Sequence, residues 1–166
     1  MGTVSLFDER VIFSPQMPPE VNRLLQAAVP LTATNATQAE WLFLRAQTTD
    51  SHCLQTYFAL YKFYFFHKRL VEAEYFALQG LEESARQGGF PSDYRRLARE
   101  PGKWDLYANE IGLFYLYSLK ALAFIKLRQD HAIESQMILT QLKQLDPQDL
   151  CGASVIMDLA AGITTH

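Results

Sequence analysis

The chain has 166 residues, of which 49% are hydrophobic and 20% are charged, and its formal net charge is −3. This length suits a single domain with a sizeable core, and the composition is that of a globular protein. The mildly acidic balance argues against a nucleic-acid binder, which usually presents a basic face.

The first 17 residues show no helical pattern, and we predict that residues 1–17 form an extended N-terminal tail. Its apolar anchors would be Leu6-Phe7 and Val11-Ile12-Phe13. Pro18-Pro19 begins a helix, because proline is tolerated in the first turn. We therefore divide the chain into this tail and one domain, residues 18–166.

Apolar residues recur at spacings of three and four through the rest of the chain, which predicts helices. Turn residues separate them, among them Gly88-Gly89, Pro101-Gly102 and Asp146-Pro147. We expect an all-α fold. The predicted helices span about residues 18–30, 37–48, 53–67, 70–86, 92–98, 104–127, 131–145 and 148–161.

The stretch 55–84 is read as two helices joined by a tight turn at residues 67–69. The first of these helices is aromatic. The second carries Ala73, Ala77 and Gly80 at spacings of four and three. Small residues at this spacing make a flat helix face, which lets another helix approach closely.

The pattern of the second helix also occurs 34 residues earlier. Glu40 aligns with Glu74, and Trp41 aligns with Tyr75. A self-match at this period is the signature of the tetratricopeptide repeat, and the chain resembles that family. The matched ladders are Ala39, Phe43 and Ala46, and then Ala73, Ala77 and Gly80.

A third copy follows at a larger distance. Ser135 lies 62 residues after Ala73, so an insertion at about residues 86–105 must interrupt the array. Tyr61 stands where the family usually has a small residue, and Lys126 where it has an aromatic one. The resemblance implies a TPR-like stack of antiparallel helix pairs, with this insertion and with residues 148–161 as a C-terminal capping helix.

In tetratricopeptide arrays the first helices of the repeats line a concave groove that holds peptides or protein segments. The resemblance therefore implies a non-enzymatic adaptor for a protein or peptide. Aromatic residues with interspersed lysines suit an apolar peptide that carries carboxylates. The groove residues, carried over position by position, are Phe58, Lys62, Phe65, Phe66, Tyr117, Lys120 and Phe124.

A closer resemblance concerns three runs, ALYKFYFFHKRLVEAE, GFPSDYRRL and LDPQDLCGASVIMDLAAG. They are similar to small tetratricopeptide proteins encoded among the nitrogen-fixation genes of proteobacteria. This resemblance implies an accessory role in maturing or protecting nitrogenase, by holding a partner protein.

The insertion contains a basic cluster, in which Arg95, Arg96 and Arg99 are offset by acidic neighbours. Such a patch could dock an acidic partner. A solvated loop and helix is the more usual meaning of this pattern.

No catalytic constellation is visible in the sequence. The four histidines are scattered, no glycine loop suits a phosphate, and Cys53 and Cys151 have no metal-binding spacing. We expect no catalytic residue, no metal and no cofactor. The two cysteines are typical of buried thiols in a reducing compartment.

The run 57–66 contains Lys62 and is too short to cross a bilayer, and no signal peptide is recognisable. We therefore expect a cytoplasmic protein with no membrane or nucleic-acid partner.

Two alternatives stay open. The chain could be a small-ligand carrier or enzyme with a pocket beside the insertion, in which Arg95, Arg96 or His67 lies near Tyr107. It could also be a homo-oligomer, for example a homodimer with a two-fold contact through Phe58 and Phe65. In addition, the tail could itself fill the groove.

Overall fold

The computed structural model describes residues 16–157, and all the regular structure in that range is helical. The predicted all-α fold is confirmed. A 3-10 turn, Val29–Leu31, follows the first helix. The α-helices are α1 (Pro19–Ala28), α2 (Ala36–Thr49), α3 (Leu54–Phe66), α4 (Leu70–Gly88), α5 (Tyr94–Arg99), α6 (Glu110–Arg128) and α7 (Ala132–Leu145).

Both predicted terminal features fall largely beyond this range. Of the predicted tail, residues 1–15 lie outside the described residues. Of the predicted capping helix, residues 154–157 are helical, residues 148–153 form turns, and residues 158–161 lie outside the described part.

The helices pack in chain order. Contacts join α1 with α2, α3 with α4, and α6 with α7, and α2 with α3 and α4 with α6 connect these pairs. The first helices of successive pairs also meet, α1 with α3 and α3 with α6, while α5 packs on α7. Each pair thus buries its apolar faces against its neighbours in the sequence.

The hairpins α3–α4 and α6–α7 share one turn. Lys68 and Asp130 both adopt the left-handed conformation, with φ of 60° and 63°. The next backbone amide donates to the carbonyl five residues back, Tyr64 in one hairpin and Lys126 in the other, at 2.9 Å in both. The turns are 62 residues apart, which is also the offset from Ala73 to Ser135.

The small face of α4 receives an aromatic ring from α6. A Cβ on Gly80 would lie 3.0 Å from Cζ of Phe114 and 3.4 Å from Cβ of Tyr57, so the close approach depends on the missing side chain. The bulk of Tyr61 is fully buried, and its hydroxyl lies 3.2 Å from Oγ of Ser118 in α6.

Two aligned glutamates make similar polar contacts with the next helix. Glu40 in α2 accepts a hydrogen bond from the Tyr64 hydroxyl at 2.7 Å and pairs with Arg69 at 2.9 Å. Glu74, aligned with Glu40, pairs with Lys126 at 3.0 Å. The ammonium of Lys126 therefore takes the place that the hydroxyl of Tyr64 has one hairpin earlier.

The segment between the last two hairpins differs from the prediction. Helix α4 runs to its left-handed end at Gly89, and α6 begins at residue 110, so the predicted start at residue 104 was wrong. Asn109 caps α6 through a bond from the amide of Ile111 at 3.0 Å. A Cβ on Gly112 would lie 2.1 Å from the carbonyl oxygen of Leu106, so the preceding loop crosses the first turn of α6.

Candidate functional site

A groove runs along α3, beside the segment that follows α1, and we call it the α3 groove. Its volume is about 510 Å³. No carboxylate is found among its described lining residues, whereas Lys62 and His67 contribute basic groups. The lining residues are Val29, Thr32, Ala33, Phe43, Gln55, Phe58, Ala59, Lys62, Phe63, Phe66 and His67.

Helical spacing places one stripe of α3 in this groove. Phe58, Lys62 and Phe66 follow one another at intervals of four, so they lie on the same side of the helix. The Lys62 ammonium lies 5.5 Å from the ring centroid of Phe58, within the range of a cation–π contact. Phe66 is 52% exposed, so its ring is accessible at the surface of this stripe.

A second hollow, of about 490 Å³, adjoins the end of α3, and we call it the Phe66 hollow. Its described lining residues are Phe65, Phe66, Lys68, Leu70 and Arg128, again without a carboxylate. Phe66 lines both spaces, so they meet at this ring. The combined surface is apolar and basic.

The seven residues predicted for peptide binding form two stripes, which we call together the aromatic face. On α3 these are Phe58, Lys62, Phe65 and Phe66, and on α6 they are Tyr117, Lys120 and Phe124. The stripes meet where the ring centroids of Phe65 and Phe124 lie 5.0 Å apart. The structure thus brings the two predicted sets together at one end.

Exposure differs within the aromatic face. Phe58 and Lys120 are each 4% exposed, so they would form the floor of a binding surface there. The Lys120 ammonium lies 4.9 Å from the ring centroid of Tyr117. The hydroxyl of Tyr117 donates to the carbonyl of Leu150 at 3.3 Å, so this end of the face borders the segment after α7.

Sequence reasoning missed several basic and polar residues of this region. His67 and Lys68 belong to the turn after α3, and no periodic pattern reports where turn residues point. Arg128 could have been found, because it lies four residues after Phe124 on the same helix face. Its guanidinium lies 5.6 Å from the Phe124 ring centroid.

The basic cluster of the insertion is only partly gathered. Arg95 lines a third hollow, of about 390 Å³, between α5 and α7, which we call the insertion hollow. Its guanidinium lies 5.6 Å from the ring of Tyr94 and 3.9 Å from the Asp93 carboxylate. Arg96 and Arg99 are exposed on α5.

A buried carboxylate organises the segment after α7. Asp146 accepts hydrogen bonds from the amides of Leu150 and Cys151, both at 2.9 Å, and from the hydroxyl of Tyr107. Burial alone would raise the pKa of Asp146, but these hydrogen bonds outweigh it and hold the pKa below its usual value. Burial and the bond to Asp146 raise the pKa of Tyr107 to about 12.

The cysteine of this cluster is an unreactive one. Burial raises the pKa of Cys151, and the neighbouring Asp146 raises it further. The thiol therefore stays protonated near neutral pH, and the thiolate is the nucleophilic form. Because Cys151 stays protonated and the Tyr107 hydroxyl is bonded to Asp146, we assign a structural role to the cluster of these three residues.

Asp146, Asp149 and Cys151 also place potential metal ligands within 4.8 Å of one another. Asp149 already accepts hydrogen bonds from the amide and hydroxyl of Ser154, at 3.3 and 2.6 Å. Both Asp146 oxygens are occupied in the same way. These hydrogen bonds tie the segment after α7 together, and they are compatible with metal ligation, because ligating carboxylates also accept hydrogen bonds.

The residues proposed for the enzyme alternative do not line one common pocket in the described part of the chain. Tyr107 bonds Asp146, His67 lines the α3 groove, and Arg95 lines the insertion hollow.

Comparison of the chain with protein-family models, curated proteins and solved structures gave no significant match. Within residues 16–157, no helix is both long and apolar enough to cross a membrane. The resemblance to tetratricopeptide proteins therefore stays a prediction.

Proposed function

We propose that this protein is a non-enzymatic adaptor of tetratricopeptide type that binds a segment of another protein on its aromatic face and α3 groove. One observation carries the proposal: the α3 groove and the Phe66 hollow form an apolar, basic surface whose described lining contains no carboxylate. The packing of hairpins in chain order and the matching turns at Lys68 and Asp130 support the repeat organisation.

The chemistry of the surface defines the segment that it suits. An apolar side chain would pack against Phe66, whose exposed ring is the natural anchor, since buried aromatic residues carry much of the affinity of an interface. Carboxylates on the same segment would approach Lys62 and Lys68, which fix orientation and speed association more than they add affinity. The preferred partner is therefore an apolar segment with acidic neighbours.

The resemblance to small tetratricopeptide proteins of nitrogen-fixation gene groups supports a more specific place for this adaptor. There it would act in the cytoplasm as an accessory factor that holds a protein during maturation or protection of nitrogenase. The surface chemistry is independent of this assignment, and any acidic and apolar client segment would satisfy it.

Two observations keep other functions in view. Phe66 is 52% exposed, so it could serve a homodimer contact as well as a client. The insertion hollow, with Arg95 at its edge, could take a small anionic ligand. The adaptor is favoured because the apolar and basic groups on α3 extend over two adjoining spaces, which suits a chain segment better than a small molecule.

The test is a comparison of three full-length proteins immobilised for capture from native cell extract. They are the wild type, Lys62→Glu/Phe66→Ala on the proposed surface, and Val71→Ala/Tyr75→Ala as control. Val71 and Tyr75 are 75% and 56% exposed on α4, so the control removes comparable apolar area elsewhere. Circular dichroism and light scattering verify that fold and mass are unchanged.

A captured protein is then purified and its affinity measured by calorimetry at low and high salt. We expect the groove variant to bind about tenfold more weakly than the wild type and the control. Equal binding by all three proteins would exclude this surface. A change in mass confined to the groove variant would show instead that the surface mediates self-association.

A further inference from the structure

We propose that residues 1–15 of the chain bind intramolecularly to the aromatic face, where they act as a built-in ligand that a client must displace. The inference rests on the proposed function, because it assigns an occupant to the same surface. It adds that the adaptor itself limits the access of a client to the aromatic face.

The segment has the chemistry that this surface selects. It contains two apolar groups, Leu6-Phe7 and Val11-Ile12-Phe13, and the acidic pair Asp8-Glu9 lies between them. This is the apolar segment with acidic neighbours that the proposed function calls for.

The aromatic face offers matching groups in a matching order. Phe66 is a half-exposed ring on α3, and Lys62 precedes it by one helical turn. On α6, the Lys120 ammonium lies 4.9 Å from the Tyr117 ring centroid, but Lys120 is only 4% exposed, so it contributes to the floor of the face and Lys62 supplies the accessible charge. Along α3 the groove presents an apolar, a basic and an apolar group in Phe58, Lys62 and Phe66. This order complements the apolar, acidic and apolar pattern of residues 6–13.

The segment is long enough to reach the surface. Fifteen extended residues span about 50 Å, whereas α1, a helix of ten residues, is only about 15 Å long. Met17, at the junction, packs against the hydrophobic core, so the chain leaves from the body of the domain. A tether of this length gives the segment an effective concentration on the order of millimolar, which makes even weak contacts count.

The first experiment uses full-length proteins and a fluorescein-labelled peptide with the sequence of residues 1–15. The wild type is compared with a tail variant, Phe7→Ser/Ile12→Ser/Phe13→Ser, whose own segment should no longer bind. We expect the peptide to bind the tail variant about tenfold more tightly, because in the wild type the tethered segment competes. Adding Lys62→Glu/Phe66→Ala to the tail variant should remove the binding.

Equal affinity for wild type and tail variant, or no binding to a folded tail variant, overturns the inference. The proposed function is tested separately. A tail variant that still captures the client, while the peptide fails to bind, contradicts the built-in ligand and leaves the adaptor in place.

The second experiment measures protection of the segment itself. Trypsin cleaves after Arg10, and docking should slow this cut in the wild type. We expect cleavage to be about tenfold faster in Lys62→Glu/Phe66→Ala and unchanged in Val71→Ala/Tyr75→Ala. Cleavage at one rate in all three proteins contradicts docking. A doubled mass that the tail variant abolishes would assign the segment to a second copy, which also overturns the intramolecular form.

Discussion

At the scale of single residues, Thr56 carries a buried hydroxyl group that makes no hydrogen bond within the described part of the chain. It is fully buried in α3, and its hydroxyl has no hydrogen-bond partner in the structure of residues 16–157. Such a group costs about 1–3 kcal/mol, and valine has nearly the same shape without it. We expect Thr56→Val to raise the free energy of unfolding by about 1 kcal/mol, measured by urea denaturation. Thr56→Ser, which keeps the hydroxyl and loses the methyl group, should be less stable than the wild type.

Asp146 is the opposite case, because both oxygens of its buried carboxylate accept hydrogen bonds. Its pKa is lowered in the folded protein, so its contribution to stability is present above the pKa of an unfolded aspartate, about 3.9. That contribution is lost as the pH falls through the lower, folded pKa. We expect Asp146→Asn to lower the free energy of unfolding by about 1–3 kcal/mol at pH 7, and the difference from wild type to shrink below about pH 4.

The matched control for this measurement is Asp149→Asn, which changes an exposed aspartate three residues away. It should have a smaller effect, because its bonds to Ser154 are open to solvent. If the two variants lose the same stability, or if the loss at Asp146 is independent of pH, the carboxylate does not hold the segment after α7.

At the scale of helices, the repeated contact between neighbouring hairpins can be tested by exchange. Lys126 bonds Glu74 where Tyr64 bonds Glu40. Lys126→Tyr should therefore keep a donor for Glu74, whereas Lys126→Phe has the same ring and no donor. We expect the tyrosine variant to be more stable than the phenylalanine variant by about 1 kcal/mol, in parallel thermal and urea unfolding.

The comparison is informative because Lys126 also pairs with Glu134 at 2.9 Å, a contact that both variants lose. The two variants differ only in the hydroxyl, for which Glu74 is the acceptor that the comparison with Tyr64 predicts. Equal stability of the two variants would mean that the hydroxyl does not reach Glu74, and that the equivalence with Tyr64 is limited to position.

Much of the helical framework was accessible from the sequence, because local features specify it. The ladder of Ala73, Ala77 and Gly80 predicts a close helix contact, and the structure places Phe114 against it. The start of α6 was misjudged because Trp104 and its neighbours continue the apolar pattern into a loop. The cap at Asn109 and the close approach at Gly112 depend on how that loop crosses the helix, which periodicity does not report.

The candidate site also contains residues that the sequence predicts and residues that it does not. Phe58, Lys62 and Phe66 follow from helical spacing, and the structure places them in one groove. Arg128 and Lys68 come together at the Phe66 hollow from different hairpins, 60 residues apart. Contacts between groups this distant in sequence depend on how the hairpins stack, which one sequence does not state.

At the scale of the whole molecule, the order of packing predicts a gradient of local stability. Helices α3, α4 and α6 contact one another in the middle of the stack, whereas α1, among the helices of residues 16–157, contacts only α2, α3 and the turn after it. Where helices mainly contact their neighbours in the sequence, local stability follows the interfaces that each helix makes. We expect amide hydrogen exchange to be slowest in α3, α4 and α6 and at least about tenfold faster in α1.

Exchange measured by mass spectrometry on peptic fragments resolves these helices individually. Uniform protection across the described helices would contradict the gradient and indicate a single cooperative unit. A variant at the α4–α6 contact, Gly80→Val, provides the internal check: it should speed exchange in α4 and α6 more than in α1.

The left-handed residues of the two matching turns carry a consequence for protein engineering. A side chain in this conformation costs about 1 kcal/mol, and glycine avoids most of that cost. We expect Lys68→Gly to raise the melting temperature by a few degrees. Asp130→Gly should have a smaller effect, because aspartate tolerates this conformation better than lysine does. Lys68 lines the Phe66 hollow, so its replacement alone should weaken client binding, measured by calorimetry. Under the proposed function, a selection for thermostability that ignored binding would therefore favour loss of this lysine, at the expense of recognition.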